Sequence, residues 1–212
     1  DIAIYPMFAI NRRLERRVDV FSFVENKGFN IKNVVDYTSA EDKNLFLEGT
    51  GSMVLDRINK KTYCSISERT SENLIDEFCS DFNYMPIIFN SFHTVDSKRQ
   101  KIYHTNVMMC VGKKYAVICL DSIDNKNERN KVIQSLEDDN KEIIIISEDQ
   151  LNSFAGNMIE LIVNKNSFLI MSQIAYNSLN KNQIERLSKY SKIISSSVDT
   201  IEKCGGGSVR CM

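Results

Sequence analysis

The chain lacks the features that mark several common protein classes. No apolar run approaches the roughly 20 residues of a membrane span, and no signal sequence opens the chain. Its 27 Lys and Arg residues balance 28 Asp and Glu residues, so no overall basic field attracts nucleic acid or an anionic membrane. We therefore expect neither of these partners, and a small molecule or a protein remains as the ligand class.

The cysteines and glycines show no spacing typical of a metal or nucleotide site. The six cysteines, at positions 64, 79, 110, 119, 204 and 211, form no C-x-x-C pair and no zinc-type arrangement. Four of them (Cys64, Cys79, Cys110 and Cys119) lie in apolar strand-like runs or on a helical face, which predicts buried free thiols and a reducing cytoplasm. Because no Walker loop or dinucleotide fingerprint is present, we expect no cofactor and no metal.

The composition is that of one ordinary domain. With 212 residues and 42% hydrophobic content, the chain can bury a sizeable core as a single α/β domain spanning residues 1–212. Its first residue is not Met, so we expect it to begin inside a longer chain or after processing. Whether it forms a homo-oligomer is left open.

Four polar residues recur at nearly one period along the chain. Glu48, His104, Asn157 and Cys211 each open an apolar, strand-like run, and successive members are 56, 53 and 54 residues apart. Self-similarity at a fixed period marks repeated supersecondary units. A ring of such units would bring the four side chains together at its centre.

The repeated unit is predicted to be ββαβ. Three complete copies cover about 45–90, 101–147 and 157–197, with a partial copy at 1–38 and the start of another at 205–212. The long predicted strands are 46–58 and 101–111, and Thr70 or Ser71 opens the helix of the first complete copy.

N-cap residues and an apolar stripe predict where the remaining helices lie. Asn11 is predicted to cap a helix with Leu14, Val18 and Phe21 on one stripe, between strands 1–8 and 31–37. Ser147 and Asn180, each followed three residues later by Gln, are predicted N-terminal caps, and Ser147 opens a capping box.

The last eight residues, Gly205–Met212, place a cysteine, Cys211, next to a cation, Arg210. The three glycines permit positive φ and let a ligand approach the backbone, with Gly207 nearest to the cysteine. Arg210 and a nearby imidazole would favour thiolate over thiol, which makes Cys211 a candidate nucleophile. The alternative is a flexible tail.

The chain has only two histidines, so the choice of base is narrow. His104 stands at a repeat-equivalent position, whereas His93 is predicted to lie in a polar loop. We favour His104 as base, and periodicity is the only argument against a buried structural histidine.

Glu48 precedes Gly49-Thr50-Gly51, a loop of little bulk in which a planar cation such as a guanidinium could reach its carboxylate. Without the repeat, Glu48 would be interpreted as a solvated loop residue.

Two arginine motifs could bind anions. Arg69 is predicted to lie where a strand passes into a helix and could hold an anionic tail, although a surface salt bridge is almost as good an interpretation. The run Arg12-Arg13-Leu14-Glu15-Arg16-Arg17 could bind phosphates or form a solvated helix face.

Several of these motifs together resemble a known superfamily. They are the runs Asn11–Arg17, Phe46–Ser52, Ser67–Thr70, Tyr103–Met109 and Gly205–Cys211. They are similar to the guanidino-group-modifying enzymes of the pentein fold, a five-bladed α/β propeller. The branch is that of the arginine-deiminase-related citrulline-utilisation hydrolases, often labelled amidinotransferase. The resemblance covers nearly the whole chain.

The resemblance implies a covalent mechanism. Cys211 would attack the central carbon of a guanidinium or ureido group and form a thiouronium-like intermediate. His104 would protonate the leaving nitrogen and then activate water, and Glu48 would hold the substrate. Arg69, with Arg12 or Arg13, would meet the substrate carboxylate. Asn157 would face the site, and Asn106 and Gly207 would line it.

The chain departs from the deiminase pattern at two acidic positions. Gly51 and Asn106 stand where deiminases typically carry aspartates, so a second carboxylate for a guanidinium is missing, which suits a neutral ureido amino acid such as citrulline. Relatives also carry an N-terminal segment that closes the ring. The expected function is hydrolysis of a non-peptide C–N bond of a citrulline- or arginine-like amino acid. The alternatives are amidino transfer to an amine and a non-catalytic binding module.

Overall fold

The computed structural model describes all residues, 1–212. Its N-terminal part is a small two-stranded parallel sheet of β1 (Ile2–Ile4) and β2 (Val34–Asp36). A 3-10 helix (Ile10–Glu15) and helix α1 (Asp19–Asn26) connect these strands.

The N-terminal predictions were partly wrong. The strands are shorter than 1–8 and 31–37, and Asn11 lies inside the 3-10 helix without capping it. Leu14 and Val18 do not form a buried stripe, since they are 86% and 73% exposed. Arg16 and Arg13 pair with Glu41 instead, and these ion pairs hold the segment against the domain.

Three three-stranded sheets follow, and each has the same strand order. In each sheet the first strand pairs antiparallel with the second, and the third pairs parallel with the second after a helical crossover. The first sheet contains β3 (Met53–Asp56), β4 (Lys61–Ser65), helix α3 (Glu72–Phe82) and β5 (Met85–Phe89). This is the predicted ββαβ order.

The other two sheets repeat this arrangement. A hairpin of β6 (Phe92–Val95) and β7 (Lys98–Lys101) precedes the second sheet. The second sheet contains β8 (Met109–Val111), β9 (Tyr115–Ile118), α4 (Lys126–Asp138) and β10 (Glu142–Ile145). The third contains β11 (Ile159–Val163), β12 (Asn166–Ser172), α6 (Gln173–Ser178), α7 (Lys181–Ser188) and β13 (Lys192–Ser196).

Short helices complete the chain. They are α2 (Gly49–Ser52), α5 (Glu148–Asn152), α8 (Asp199–Gly205) and single 3-10 turns at Thr38–Lys43, Thr105–Val107, Leu120–Ser122 and Val209–Cys211. Ser147 and Asn180 both form capping boxes, and Ser71 is the N-cap of α3. No helix has the length and apolar character needed to cross a membrane.

The two long predicted strands are broken just before β3 and β8, the first strands of their sheets. The first strand of each sheet (β3, β8 and β11) is called its inner strand from here on. In place of strand 46–58, Leu47 makes an isolated bridge to Thr70, and α2 precedes β3. In place of strand 101–111, a 3-10 turn precedes β8. The hydroxyl of Thr105 donates to the backbone carbonyl of Ser52 at 2.6 Å and accepts from the N–H of Ser65 at 2.7 Å. These bonds stabilise the turns, because buried backbone groups need partners.

The core is centred on the second sheet. A cluster of 27 buried apolar residues surrounds its strands, and a smaller cluster of eight packs beneath α3. As predicted, Cys64, Cys79, Cys110 and Cys119 are buried free thiols. Burial raises the pKa of Cys64 to about 12 and that of Cys110 to about 11, so these thiols stay protonated and inert.

Buried ion pairs fix neighbouring units to each other. Nζ of Lys141 lies 2.8 Å from Oδ2 of Asp56 and donates to the carbonyl of Gly112 at 2.9 Å. Nζ of Lys61 lies 2.8 Å from Oδ2 of Asp139. Both pairs join the first sheet to the second, so the turns that precede their inner strands are held next to each other.

Candidate active site

The polar turns before the inner strands surround one cavity of about 800 Å³. Glu48 comes from the turn before β3, His104 from the turn before β8, and Cys211 from the 3-10 turn that ends the chain. Residues far apart in the sequence therefore line one wall. The other lining residues include Met7, Arg12, Glu15, Thr50, Gly51, Arg69, Tyr103, Asn106, Gly207 and Arg210.

Glu48 and His104 form a buried pair. Nε2 of His104 lies 2.7 Å from Oε2 of Glu48, and the N–H of Phe8 donates to Oε1 at 2.9 Å. Burial alone would raise the pKa of Glu48. The hydrogen bonds from His104 and Phe8, with the charges of His104 and Arg69, outweigh burial and hold this pKa below its usual range. Glu48 is therefore a carboxylate that orients the imidazole.

The position of Gly51 explains one departure from the deiminase pattern. A Cβ at residue 51 would lie 2.9 Å from Cε1 and Nδ1 of His104. Any side chain there would push the imidazole away from its place beside Glu48. The missing carboxylate at residue 51 is thus linked to the packing of His104.

The sulfur of Cys211 lies against two amides. Nδ2 of Asn157 is 3.1 Å from Sγ, Oδ1 of Asn157 is 3.5 Å away, and Nδ2 of Asn106 is 3.4 Å away. Nδ2 of Asn157 also donates to the backbone carbonyl of Asn106 at 3.1 Å. Both amides therefore direct an N–H group at the sulfur and hold it in position.

The glycine run is ordered against the site. Gly206 alone of its three glycines has a positive φ, of 66°, and ends α8. The conformational freedom that all three glycines offer is therefore used at one position. Gly207 is needed for space, since a Cβ there would lie 2.9 Å from Cβ and 3.1 Å from Sγ of Cys211.

Arg69 lines the cavity between aromatic rings. Its guanidinium carbon lies 5.0 Å from the ring centre of Tyr103 and 5.8 Å from that of Phe8, and Nη1 lies 3.7 Å from Oε2 of Glu48. Stacked in this way, the guanidinium is held at the cavity wall and can receive an anionic group.

Of the other two candidate arginines, only Arg12 lines the cavity. Arg12 lies at the rim, paired with Glu15 at 3.0 Å. Arg13 does not line the cavity, because Nε donates to the carbonyl of Met7 and lies 3.1 Å from Oε2 of Glu41. Of the two alternatives for the substrate carboxylate, Arg12 or Arg13, these contacts leave Arg12 at the cavity and place Arg13 against Glu41.

Sequence reasoning missed the roles of Tyr103 and the backbone of Phe8. The hydroxyl of Tyr103 donates to the carbonyl of Gly206 at 2.8 Å, and its ring lies against His104 and Arg69. Tyr103 immediately precedes His104 in the sequence, but it is not one of the residues that recur at the repeat period. Phe8 contributes a backbone N–H, which has no sequence signature. Only the fold brings these groups to the site.

His93 is placed differently from His104. It lies on hairpin strand β6, so the predicted polar loop is wrong. It lines a separate cavity of about 170 Å³ that Cys211 also borders, and its buried Nδ1 has no hydrogen-bond partner. His104 alone of the two is paired with a carboxylate. No group of three or more His, Cys, Asp or Glu side chains could hold a metal ion.

Comparison with known families places the chain. The family model described as N,N dimethylarginine dimethylhydrolase, eukaryotic, matches residues 1–212. The chain belongs to this family. Its members are guanidino-modifying enzymes of the pentein superfamily, as the motifs predicted. A search of curated proteins finds no match.

Several solved structures share the mixed α/β fold with small sheets that this chain adopts. The arginine dihydrolase ArgZ of cyanobacteria is 15% identical, with a TM-score of 0.71 over 99% of this chain and 30% of that chain. The amidinotransferase SxtG of Microseira wollei is 13% identical, with a TM-score of 0.64 over 99% of this chain and 62% of SxtG.

A dimethylarginine dimethylaminohydrolase, solved as an adduct with S-methyl-L-thiocitrulline, is 15% identical. Its TM-score is 0.60, over 99% of this chain and 69% of that chain. The chain thus spans about a third of full-length ArgZ and about two thirds of the other two structures.

Proposed function

We propose that this chain carries the site of a cysteine-dependent hydrolase that cleaves a C–N bond of a guanidino or ureido amino acid. One observation carries the proposal: the Cys211 sulfur and the Glu48–His104 pair line the same cavity. Nucleophile, proton carrier and orienting carboxylate are the groups that this chemistry needs.

In the first half of the reaction, the Cys211 thiolate attacks the central carbon of the substrate. A C–S bond forms, and the C–N bond to the leaving nitrogen breaks as protonated His104 gives that nitrogen its proton. In the second half, His104 accepts a proton from water as the water oxygen attacks the carbon, and the C–S bond breaks to return the thiolate. Glu48 stabilises the imidazole in its protonated form, before the first proton transfer and after the second.

The cavity wall suggests how the amino-acid end would be recognised. Arg69 would pair with the substrate carboxylate, and Arg12 at the rim would share this task. Asn106 and Asn157 would hold the sulfur in place through their amides. The substrate's reacting group would find one buried carboxylate, Glu48, because Gly51 and Asn106 carry no charge.

Methylated arginines are the first substrates to test. The family whose model matches this chain is described as N,N dimethylarginine dimethylhydrolase. Citrulline and arginine are the next candidates. Each would present the same carboxylate to Arg69 and the same carbon to Cys211.

We also propose that the complete fold is the five-bladed propeller of the superfamily. Three sheets of identical strand order support this, and their inner strands each follow a site residue. The β1–β2 sheet would belong to a fourth blade, and Gly205–Met212 would open the fifth. Further strands would complete both blades.

The proposed activity is tested by measuring the amine that each substrate releases. Asymmetric dimethylarginine, monomethylarginine, arginine and citrulline would be incubated with the protein, and dimethylamine, methylamine and ammonia would be quantified. We expect release from at least one substrate, loss of release in Cys211→Ala, and full release in the matched control Cys204→Ala. Cys204 is the only other exposed cysteine.

Two other outcomes would redirect the proposal. Release of ornithine from arginine that needs an added amine acceptor would identify amidino transfer, the activity named for the structural neighbour SxtG. Absence of release from all four substrates, combined with saturable binding of one of them, would refute hydrolysis in favour of a binding module.

A further inference from the structure

A second cavity, of about 400 Å³, adjoins the active-site cavity. Thr50 and Arg210 border both cavities. The second one is otherwise formed at the far ends of the inner strands, where Arg57 follows β3 and Lys113 follows β8. It shares no further residue with the proposed reaction site.

The cations of this second cavity have no counter-ions in the protein. The side chains of Arg57, Lys113 and Arg210 make neither a salt bridge within 4.0 Å nor a hydrogen bond. Every other cation in contact with the active site is paired or stacked: Arg12 with Glu15, and Arg69 with Tyr103.

The two carboxylates of the cavity do not balance these charges. Asp56 is neutralised by the buried Nζ of Lys141 at 2.8 Å. Glu160 accepts from the N–H of Lys113 at 2.6 Å and from the hydroxyls of Ser167 and Ser191. Three cations therefore face one unneutralised carboxylate, which leaves a surplus of two positive charges.

Arg210 makes this surplus costly. Its side chain is partly buried, and burial lowers the pKa of its guanidinium despite the nearby Cys110 and Cys211. A charge removed from water is unfavourable unless it is paired. An anion in the second cavity would supply the missing partner.

We propose that this cavity binds the phosphate group of a small organic phosphate. A phosphate monoester carries a charge of about −1.5 to −2 at pH 7, which matches the surplus, whereas a carboxylate carries only one. Guanidinium groups pair well with phosphate oxygens. The cavity is also larger than inorganic phosphate, and its apolar walls, Leu55, Val111 and Met158, suit an organic body.

Calorimetric titration with phenyl phosphate tests the proposal without any turnover. Benzoate and inorganic phosphate would serve as comparison ligands at constant ionic strength. We expect phenyl phosphate to bind at least about tenfold more tightly than benzoate, because a doubly charged group gains more from charged hydrogen bonds. Inorganic phosphate should bind more weakly than phenyl phosphate, since it leaves the apolar walls empty.

Variants separate this cavity from the active site. The double variant R57Q/K113Q should weaken phenyl phosphate binding at least about tenfold. Arg69→Gln, which removes the anion-binding group of the other cavity, should leave it unchanged. Lys165→Gln is the matched control, because Lys165 occupies the equivalent turn of the third sheet and does not line the cavity. Both substituted residues of the double variant are exposed, so folding should be preserved.

The opposite pattern would overturn the proposal. Binding lost in Arg69→Gln but kept in R57Q/K113Q would assign the phosphate to the active-site cavity. Equal affinity for benzoate and phenyl phosphate, or no binding of phenyl phosphate, would refute a phosphate site.

Discussion

Replacing Gly207 by alanine tests whether the glycine run sets the position of the Cys211 sulfur. A Cβ at residue 207 would lie 2.9 Å from Cβ and 3.1 Å from Sγ of Cys211, whereas ordinary contact begins at 3.4 Å. The φ of Gly207 is not positive, so alanine adds no backbone strain. The substitution therefore acts on the Cys211 sulfur by steric contact alone.

The size of the effect follows from the required movement. Restoring ordinary contact at the Cβ needs a shift of about 0.5 Å, the difference between 3.4 and 2.9 Å. Since a misplacement of about 1 Å can cost about 100-fold in rate, half of it is expected to cost about tenfold. The free energy of unfolding should change by less than about 1 kcal/mol, because alanine also restricts the unfolded chain.

The assay is the rate of amine release, read beside the alkylation of Cys211 by iodoacetamide. Gly205→Ala is the matched control, since a Cβ there meets nothing within 4 Å and its φ is not positive. Gly206→Ala should lower stability by about 1–2 kcal/mol through its positive φ, without touching the sulfur. Equal rates in Gly207→Ala and Gly205→Ala, with both folded, would refute the reasoning.

Three further predictions concern charged groups. Burial raises the Glu48 pKa, but hydrogen bonds from His104 and Phe8 lower it overall, so the ionised form stabilises the fold above the unfolded-state pKa. This stability is lost as pH falls through the folded-state pKa, and Glu48→Gln should flatten the decline of unfolding free energy below about pH 4.3. Arg69→Gln should raise KM about 10- to 100-fold for amino-acid substrates, but not for their decarboxylated analogues, in steady-state kinetics. Lys141→Met should lower the urea unfolding free energy by about 3–5 kcal/mol, because it leaves Asp56 buried without its partner; a loss below about 1 kcal/mol would show that water replaces the ammonium.

Periodicity predicted that four distant side chains lie near one another, but not the structure around them. Glu48, His104 and Cys211 line one cavity, and Asn157 contacts the sulfur of Cys211. Glu48, His104 and Asn157 each precede an inner strand, as their spacing indicated. They do not begin strands, because the site needs turns whose polar atoms face inward. Thr105 makes this possible by satisfying backbone groups of two other segments. Such long-range hydrogen bonds leave no periodic signal in the sequence.

Charged residues near the N-terminus show the limit of motif reasoning. The Arg12–Arg17 run is typical of one basic helix face. In the structure, however, its arginines pair with different carboxylates and point to different places. Glu41 takes Arg13 and Arg16, while Arg12 turns toward the cavity with Glu15. Glu41 is 25 residues or more from these arginines and belongs to no motif. The choice between substrate arginine and structural arginine therefore depends on a tertiary contact that sequence spacing does not encode.

The two amides beside Cys211 connect the reaction to the repeat itself. Asn157 stands at the repeat-equivalent position of the third sheet, and Asn106 lies two residues after His104. Because Nδ2 of Asn157 also donates to the backbone carbonyl of Asn106, the sulfur is fixed relative to the segment that carries His104. A charged aspartate at residue 106 would place a negative charge beside the sulfur, which the neutral amide avoids. In the proposed reaction, the same asparagine also leaves out a second carboxylate that a guanidinium would use, so we expect the cavity to favour a substrate of low positive charge.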